Sequence, residues 1–523
     1  MSRARNLVLL ALLLSICAIA ALARGAHISR YCYFFDEAWN DELSTARGSV
    51  HIQLANDVLY ENLPKPTSLA GAPAWWHIWA NMDHVTHPPL YIIVLRWWRD
   101  SFGESPIVSR ACSATFSVLA ILLLFDIARL LHGNAAALWA CLIMALAGAQ
   151  IELAQEVRPY AVLLVASMGT LSALVRIEKR GPTLPRMIAL CACAAAMVLT
   201  HYFAAPATLA IGVYALIRLR GKAQRDAIIA LFIAAGIFVV AWGPFLWQQR
   251  TNFAATADNW LKEPRQGHVL LTLKRLSAIP FRLLMEPPNP KQTLPGYVSS
   301  VALVLPFLLL RRRPDLLLWC IWLGGTVFFI ALLDLTRSTQ HLVYIRYSLI
   351  GGPAIYATLA ALVQPKARAW LAHLVPAAVA LACLGALPTA YEQPKPEYRV
   401  LASYIDNNVQ PGDALVFYSS DGDEWFSSAM YLNTCFYSRA YPWPFVMMTH
   451  PPDAAMRESL SHFNHVWLVN RTASMSGEKL ISGAAVDGYQ YFPHTGSCER
   501  VTPEPTRSRS RAIVPPKPLW ELR

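Results

Sequence analysis

Uninterrupted apolar runs constrain this chain more than any other feature. Leu7 to Ala23 carries no charged residue, and predominantly apolar stretches recur at 106–131, 134–150, 158–176, 186–202, 204–218, 226–247, 294–310, 315–334, 347–363 and 369–389. A helix needs about 20 apolar residues to cross about 30 Å of hydrocarbon, so these runs predict about eleven transmembrane helices. Charged residues make up only 15% of the 523 in the sequence, where a soluble domain carries about 25%. A soluble enzyme, a disordered scaffold and a fibrous protein are thereby excluded, leaving a mainly α polytopic membrane protein.

The formal net charge of +12 has a location that explains it. Basic residues gather in short clusters between the runs: Arg3 and Arg5; Arg129; Arg176, Lys179, Arg180 and Arg186; Arg218, Arg220, Lys222 and Arg225; Arg311 to Arg313; Lys366 and Arg368. Lys and Arg collect on the cytoplasmic side of membrane proteins, and alternate crossing puts all these clusters on one side. The charge orients the chain and does not signal nucleic acid, for which there is no basic soluble domain. Ser2-Arg3-Ala4-Arg5 places the N-terminus in the cytoplasm. Leu7–Ala23 lacks a persuasive small-x-small cleavage site and reads as a retained helix.

Arg30–Glu104 is then a long outer loop. Within it Pro88–Trp98 is apolar but too short to span, and reads as an interfacial or re-entrant helix with Arg96, Trp97, Trp98 and Arg99 at its end. Residues 248–293 form a second outer loop, amphipathic around Val269–Met285. From Tyr391 the composition changes: β-type runs at Ala414–Tyr418 and Val466–Val469 alternate with helical patterns at Glu397–Asn408 and Ala454–His462. The expected organisation is a transmembrane domain over 1–390, an outward-facing α/β domain over 391–501, and a basic, proline-rich disordered tail over 502–523. Of ten cysteines, seven lie in apolar runs as small hydrophobes. Cys435 and Cys498 fall in the outer domain, where an oxidising compartment permits a disulfide between them.

Chemistry is expected where ionisable residues sit at outer helix ends, since an unpartnered charge there is expensive. Asp36-Glu37 follows the first helix between aromatic flanks, and a carboxylate so placed can take a proton from an alcohol; the plainer reading is a helix cap. Glu152 and Glu156, four apart, can share a helical face beside Arg158: carboxylate holds a divalent cation, guanidinium holds phosphate. A structural ion pair is the alternative. In His84-Val-Thr-His87-Pro88-Pro89 two prolines fix the backbone that presents His87 to phosphate or metal. His201-Tyr202 ends a span with the same two options. Arg346-Tyr347 re-enters the membrane, and an Arg at a helix N-terminus is unfavourable unless an anion is present. Asp126 and Arg129 read as a structural pair.

In this order the clusters resemble the GT-C superfamily, in particular bacterial family 39-like polyprenyl-phosphate-sugar glycosyltransferases related to protein O-mannosyltransferases and lipid A aminoarabinose transferases. The resemblance rests on Asp36-Glu37, His87-Pro-Pro-Leu-Tyr91, Gln155-Glu156-Val-Arg158-Pro-Tyr160, His201-Tyr202-Phe203, Arg346-Tyr347, Lys395-Pro-Glu-Tyr-Arg399 and Pro411-Gly-Asp413. It implies a hexosyl- or pentosyltransferase of the bacterial inner membrane. A sugar would pass, with inversion, from a polyprenyl phosphate to a lipid or glycan hydroxyl on the periplasmic face. It further implies Asp36 as general base supported by Glu37, donor phosphate contacts from Arg158, Arg346, His87 and Tyr347, and a divalent metal ion at Glu156 and His201. His87 stands where aminoarabinose transferases carry a lysine, and the β-trefoil insertion of the protein mannosyltransferases is absent. A transporter or flippase, or a non-catalytic binder, of polyprenyl-linked saccharides is the alternative class.

Overall fold

Each apolar run contributes helix, because a backbone in hydrocarbon has no water to satisfy its N–H and C=O groups. The computed structural model describes residues 3–82, 84–262, 267–285, 298–363, 370–392, 398–419, 424–470, 480–481, 485–492 and 496–502. Among these, six helices are long and apolar enough to cross a membrane: Ala4–Gly25, Pro106–His132, Tyr160–Arg180, Gly221–Thr251, Pro314–Arg337 and Leu371–Ala390. Asn134–Leu146 and Gly148–Gln155 add a seventh if the 63° bend between them lies within one span. By length and composition, six or seven of the eleven expected spans are matched among the described residues. The runs at 186–202, 204–218 and 347–363 yield only the shorter helices Leu184–Thr200, Ala204–Arg218 and Leu349–Ala360, and 294–310 yields Val301–Leu309.

The chain divides into two units, one of Met1–Ile28, Met82–Val94 and Ile107–Pro394, the other of Ser29–Asn81, Leu95–Pro106 and Lys395–Arg523. Loop residues expected to belong with 1–390 therefore group with the C-terminal part of the chain.

In the first unit the bend after Leu146 is held open by a buried arginine. Ala147 is extended (φ −64°, ψ 123°), so the last carbonyls of Asn134–Leu146 lack helical donors. Arg24, fully buried, supplies them: Nη1 donates to the Ala145 oxygen at 3.0 Å, Nη2 to that of Met144 at 3.2 Å, and Nε to Ser117 Oγ at 2.7 Å. Gln155 Nε2 in turn donates to the Arg24 oxygen at 3.0 Å, tying the bend to the loop that carries Glu156 and Arg158. Arg24→Leu is expected to destabilise by roughly 2–4 kcal/mol, since buried carbonyls lose charge-assisted donors. A thermal melt in detergent reads this, with Arg24→Lys recovering only part because an ammonium cannot fork across the carbonyls.

The second unit is built on a five-stranded sheet of order β2-β1-β3-β5-β4, with β1 Ala414–Tyr418, β2 Phe445–Met448, β3 Val466–Asn470, β4 Ala485–Phe492 and β5 Gly496–Thr502. β1 pairs in parallel with β2 and β3, whereas β5 runs antiparallel to β3 and β4. Every residue of β1 to β3 is buried, as expected of parallel strands covered on both faces. Helices Tyr398–Asn408, Glu424–Tyr437 and Ala454–Leu460 flank the strands in sequence. The outer edge of β2 is closed by Tyr60, whose N–H and oxygen pair with Phe445 at 2.9 and 3.0 Å. The disulfide that an oxidising compartment would permit between Cys435 and Cys498 is not formed: both are free, buried thiols, one on the helix Glu424–Tyr437 and the other in β5. Lys366, Arg368, residues 395–397 and the tail 503–523 lie outside the described residues.

Candidate active site

Asp36 and Glu37 belong to the second unit. The chain is extended at Phe34 (φ −72°, ψ 153°) and turns into the helix Phe35–Leu43. Glu37 is buried and its Oε2 accepts the Phe34 N–H at 2.9 Å, so this carboxylate caps the helix start. Asp36 is only partly buried. The far end of the helix is fixed by two arginines: Arg99 Nη1 donates to the Asp41 oxygen at 2.6 Å, and Arg96 Nη1 to the Ser44 oxygen at 3.1 Å, completing carbonyls that the helix leaves open. Beneath it lies a pair that sequence reasoning missed. Fully buried His51 Nδ1 meets Glu42 Oε2 at 2.5 Å, and its N–H donates to Glu42 Oε1 at 2.9 Å. Phe35, Trp39 and Trp425 surround that imidazole with centroids at 5.3, 5.5 and 6.4 Å. Phe35 and Trp39 flank Asp36 on its helix, so the buried pair helps set where Asp36 stands.

The remaining candidates belong to the first unit, which brings most of them together. His87 sits on a loop held by Gln249, whose Nε2 donates to the Met82 oxygen at 2.6 Å. Tyr202 OH donates to Gln249 Oε1 at 2.5 Å and accepts from Trp242 Nε1 at 2.9 Å. Tyr202 is thereby a scaffold residue, while its neighbour His201 faces the pocket. The His87 and His201 rings lie 4.7 Å apart. His201 stacks on Phe203 at 5.4 Å and has Tyr160 at 5.8 Å and Tyr347 at 6.4 Å. Arg158 lies over Tyr160 at 5.7 Å and Arg346 over Tyr347 at 5.3 Å. Arg346 is not in the first turn of a helix as expected. It stands in the 3-10 turn Ile345–Tyr347, before Gly352–Ala360. That turn is seated by Gly351: a Cβ there would meet Val327 Cγ2 at 2.5 Å, so only glycine permits the approach.

The electrostatics of this pocket are those of an anion site. Burial first, then His201 and the charges of Arg158 and Arg346, holds His87 well below the ordinary histidine range. Burial followed by the same two arginines pushes His201 down to about 3. Both imidazoles are neutral near pH 7. Because His201 is depressed in the fold, the unfolded chain binds more protons between about pH 3 and the ordinary 6.5, and stability falls as pH falls through that window. His201→Gln is expected to flatten the fall, as measured by melting temperature against pH. His201 Nδ1 accepts the Phe203 N–H at 3.1 Å, so its proton resides on Nε2. Among the described residues that Nε2 and His87 Nδ1 are buried without hydrogen-bond partners, a cost of about 1–3 kcal/mol each, and an anionic guest would remove the one at His201.

These residues do not fit a metal. The lone pair of His201 is engaged on the backbone, and its free edge offers a proton. Glu156 is extended (φ −111°, ψ 144°) beyond the helix Gly148–Glu152, so Glu152 and Glu156 do not share a helical face. Among the described residues no group of three or more His, Cys, Asp or Glu is placed to hold a metal ion. Asp126 pairs with Arg129 at 3.1 Å, as expected, and also with Arg176 at 2.7 Å.

Sequence reasoning also missed Asp334 and His341, whose ring stands 5.5 Å from Phe203 and 5.3 Å from Tyr347. The signal was available: Asp334 is an acid at the end of an apolar run, where an ionisable residue needs a reason.

Fold and site together define a class, a polytopic membrane protein with apolar helices and a small C-terminal sheet. The same fold occurs in ArnT from Cupriavidus metallidurans. The form bound to undecaprenyl phosphate matches with TM-score 0.58 and 13% identity over 96% of this chain and 98% of that chain. The apo form matches with TM-score 0.59 and 14% identity over the same shares. The family model described as dolichyl-phosphate-mannose-protein mannosyltransferase matches residues 86–247, which include His87, Arg158 and His201. The chain is thus similar to ArnT in fold and, over residues 86–247, to the mannosyltransferase model in sequence. No curated protein matches it in sequence.

Proposed function

We propose that this protein is a glycosyltransferase that moves a sugar, with inversion, from a polyprenyl phosphate to a lipid or glycan hydroxyl on the periplasmic face of the inner membrane. The observation that carries the reading is the cluster of buried Arg158, half-buried Arg346 and the proton-bearing edge of buried His201, a set of donors that suits a phosphate. ArnT, which shares the fold, has been captured with undecaprenyl phosphate. In this reading Asp36 takes the proton of the acceptor hydroxyl as that oxygen attacks the anomeric carbon. The bond from that carbon to the phosphate oxygen breaks, and both its electrons leave with the phosphate. Arg158 and Arg346 meet the growing negative charge where water is excluded, which is where fixed charges act most strongly. His87 and Tyr347 line the same place. Glu37 acts through the helix start that it caps. No step is assigned to a metal, because His201 offers a proton where a metal needs a lone pair.

Lipid mass spectrometry on cells with and without the chain tests the proposal. Accumulation of one polyprenyl-phosphate-linked sugar in cells lacking it, reversed on restoring it, is the expected result. An unchanged lipid pool, with other transferases also removed, would overturn the reading. So would a sugar lipid that merely fails to change leaflet, which would mark a transporter.

A further inference from the structure

Two histidines border the anion pocket, and their protons are set in opposite ways. His201 has its proton fixed on Nε2 by the backbone. At His341 the reverse holds. Asp334, fully buried, accepts from Thr339 Oγ1 at 2.7 Å, from the N–H of His341 at 2.9 Å and from that of Leu342 at 2.9 Å. His341 Nδ1 lies 2.8 Å from the same Oδ1. An Asp oxygen already crowded with donors is an acceptor there, so Nδ1 of His341 carries the hydrogen. The exchangeable position of His341 is therefore Nε2, to which no hydrogen bond is made among the described residues. A carboxylate holding Nδ1–H while Nε2 works is the arrangement that lets an imidazole pass a proton at a chosen atom.

The segment that carries the ring is anchored as well. His268 Nε2 donates to the Asp334 main-chain oxygen at 2.7 Å, and Arg282 Nη1 to the Val343 oxygen at 2.7 Å, both from the helix His268–Met285. Tyr347 and Arg346 approach from the turn Ile345–Tyr347, and His201 lies beyond Phe203. Among these neighbours Asp334 is the sole anion.

We propose that His341, oriented by Asp334, is the proton donor to the phosphate that leaves the sugar. The inference rests on the polyprenyl-phosphate reading above. When the anomeric carbon–oxygen bond breaks, its electron pair stays on the phosphate oxygen, converting a singly charged diester into a doubly charged monoester. The Nε2 proton of the His341 imidazolium passes to that oxygen, leaving a neutral imidazole whose Nδ1–H stays on Asp334. Water then restores the Nε2 proton. Asp334 is a positioning residue: it touches no substrate and sets which nitrogen of His341 acts.

Binding of the leaving group tests this without knowledge of the sugar. Undecaprenyl phosphate is titrated into the full chain in nanodiscs from about pH 5.5 to about pH 9, the range over which an imidazole switches charge. Wild type, His341→Gln, Asp334→Asn and Arg346→Ala are compared, each with its melting temperature. The titration of the ligand itself cancels in the ratio of wild type to variant. Wild type is expected to bind about tenfold tighter than His341→Gln at low pH, the advantage of a charge-assisted bond, with the two curves merging as pH rises. Asp334→Asn is expected to lose most of the low-pH advantage, because the carboxylate no longer holds Nδ1 and fixes the ring; it also serves if His341→Gln fails to fold. A ratio independent of pH in these variants, with Arg346→Ala still weakening binding, would overturn the role of His341 and leave the pocket reading standing. Absence of binding by wild type would overturn both.

Discussion

Asp36→Asn protein, folded and inserted, is expected to transfer sugar about 10²–10⁴ times more slowly than wild type, the usual contribution of a positioned general base. The amide keeps the size of the side chain and loses its basicity. Glu37→Gln separates chemistry from architecture. Glu37 is buried and accepts the Phe34 N–H, so the amide oxygen can still cap while the charge at the helix start is lost. Its expected cost is a lower melting temperature, about 0.3–1 kcal/mol from the helix dipole, with a much smaller fall in rate than Asp36→Asn. Turnover of the donor lipid measured beside a thermal melt reads both. Equal rate losses with equal destabilisation would mean that the two acids act only through the fold of their helix.

Joint replacement of Arg158 and Arg346 by Ala should weaken undecaprenyl phosphate binding by about 10²–10⁴-fold, since each hydrogen bond to a charged group contributes about 1.5–3 kcal/mol. Replacement by Lys should recover part of this, because an ammonium keeps the charge and loses the fork. The same charges act on both histidines, which supplies an independent readout. Without the guanidinium groups His201 should titrate closer to the ordinary range, visible in its imidazole NMR signals. Loss of binding without that movement would mean that the arginines face the ligand from elsewhere.

Much of this was legible in the order of residues. Each apolar run predicted helix and contributes helix, whereas Phe35–Leu43 and Glu424–Tyr437 are helices outside those runs. β1 and β3 announced themselves as short β-branched and aromatic runs, and His87, Arg158, His201 and Arg346 stood out because charge or imidazole at a helix end needs a reason. What failed did so for tertiary causes. β4 and β5 were hidden by Gly488 and Pro493 and by polar alternation, and antiparallel pairing of β5 with β3 and of β4 with β5 makes them strands. For Glu37 the cap was one of two readings that the sequence offered, and the contact with the Phe34 N–H shows the cap. His341 and Glu42 gave no sequence signal because each derives its meaning from one partner, Asp334 or His51, chosen by packing. Grouping of 29–81 with the C-terminal part follows from contacts such as Tyr60 to Phe445, which no local pattern encodes.

That edge pairing has a consequence for how the protein is made. Tyr60 leaves the ribosome early, and the strand it closes leaves near the end of synthesis. At about 5–20 residues per second, the apolar helices can be inserted tens of seconds before the sheet exists. During that interval the helix Phe35–Leu43 lacks Trp425 beside it, and Tyr60 lacks the strand with which it pairs. The second unit is therefore completed last. A nascent chain that stalls late would carry the helices of the first unit and an unfinished second one.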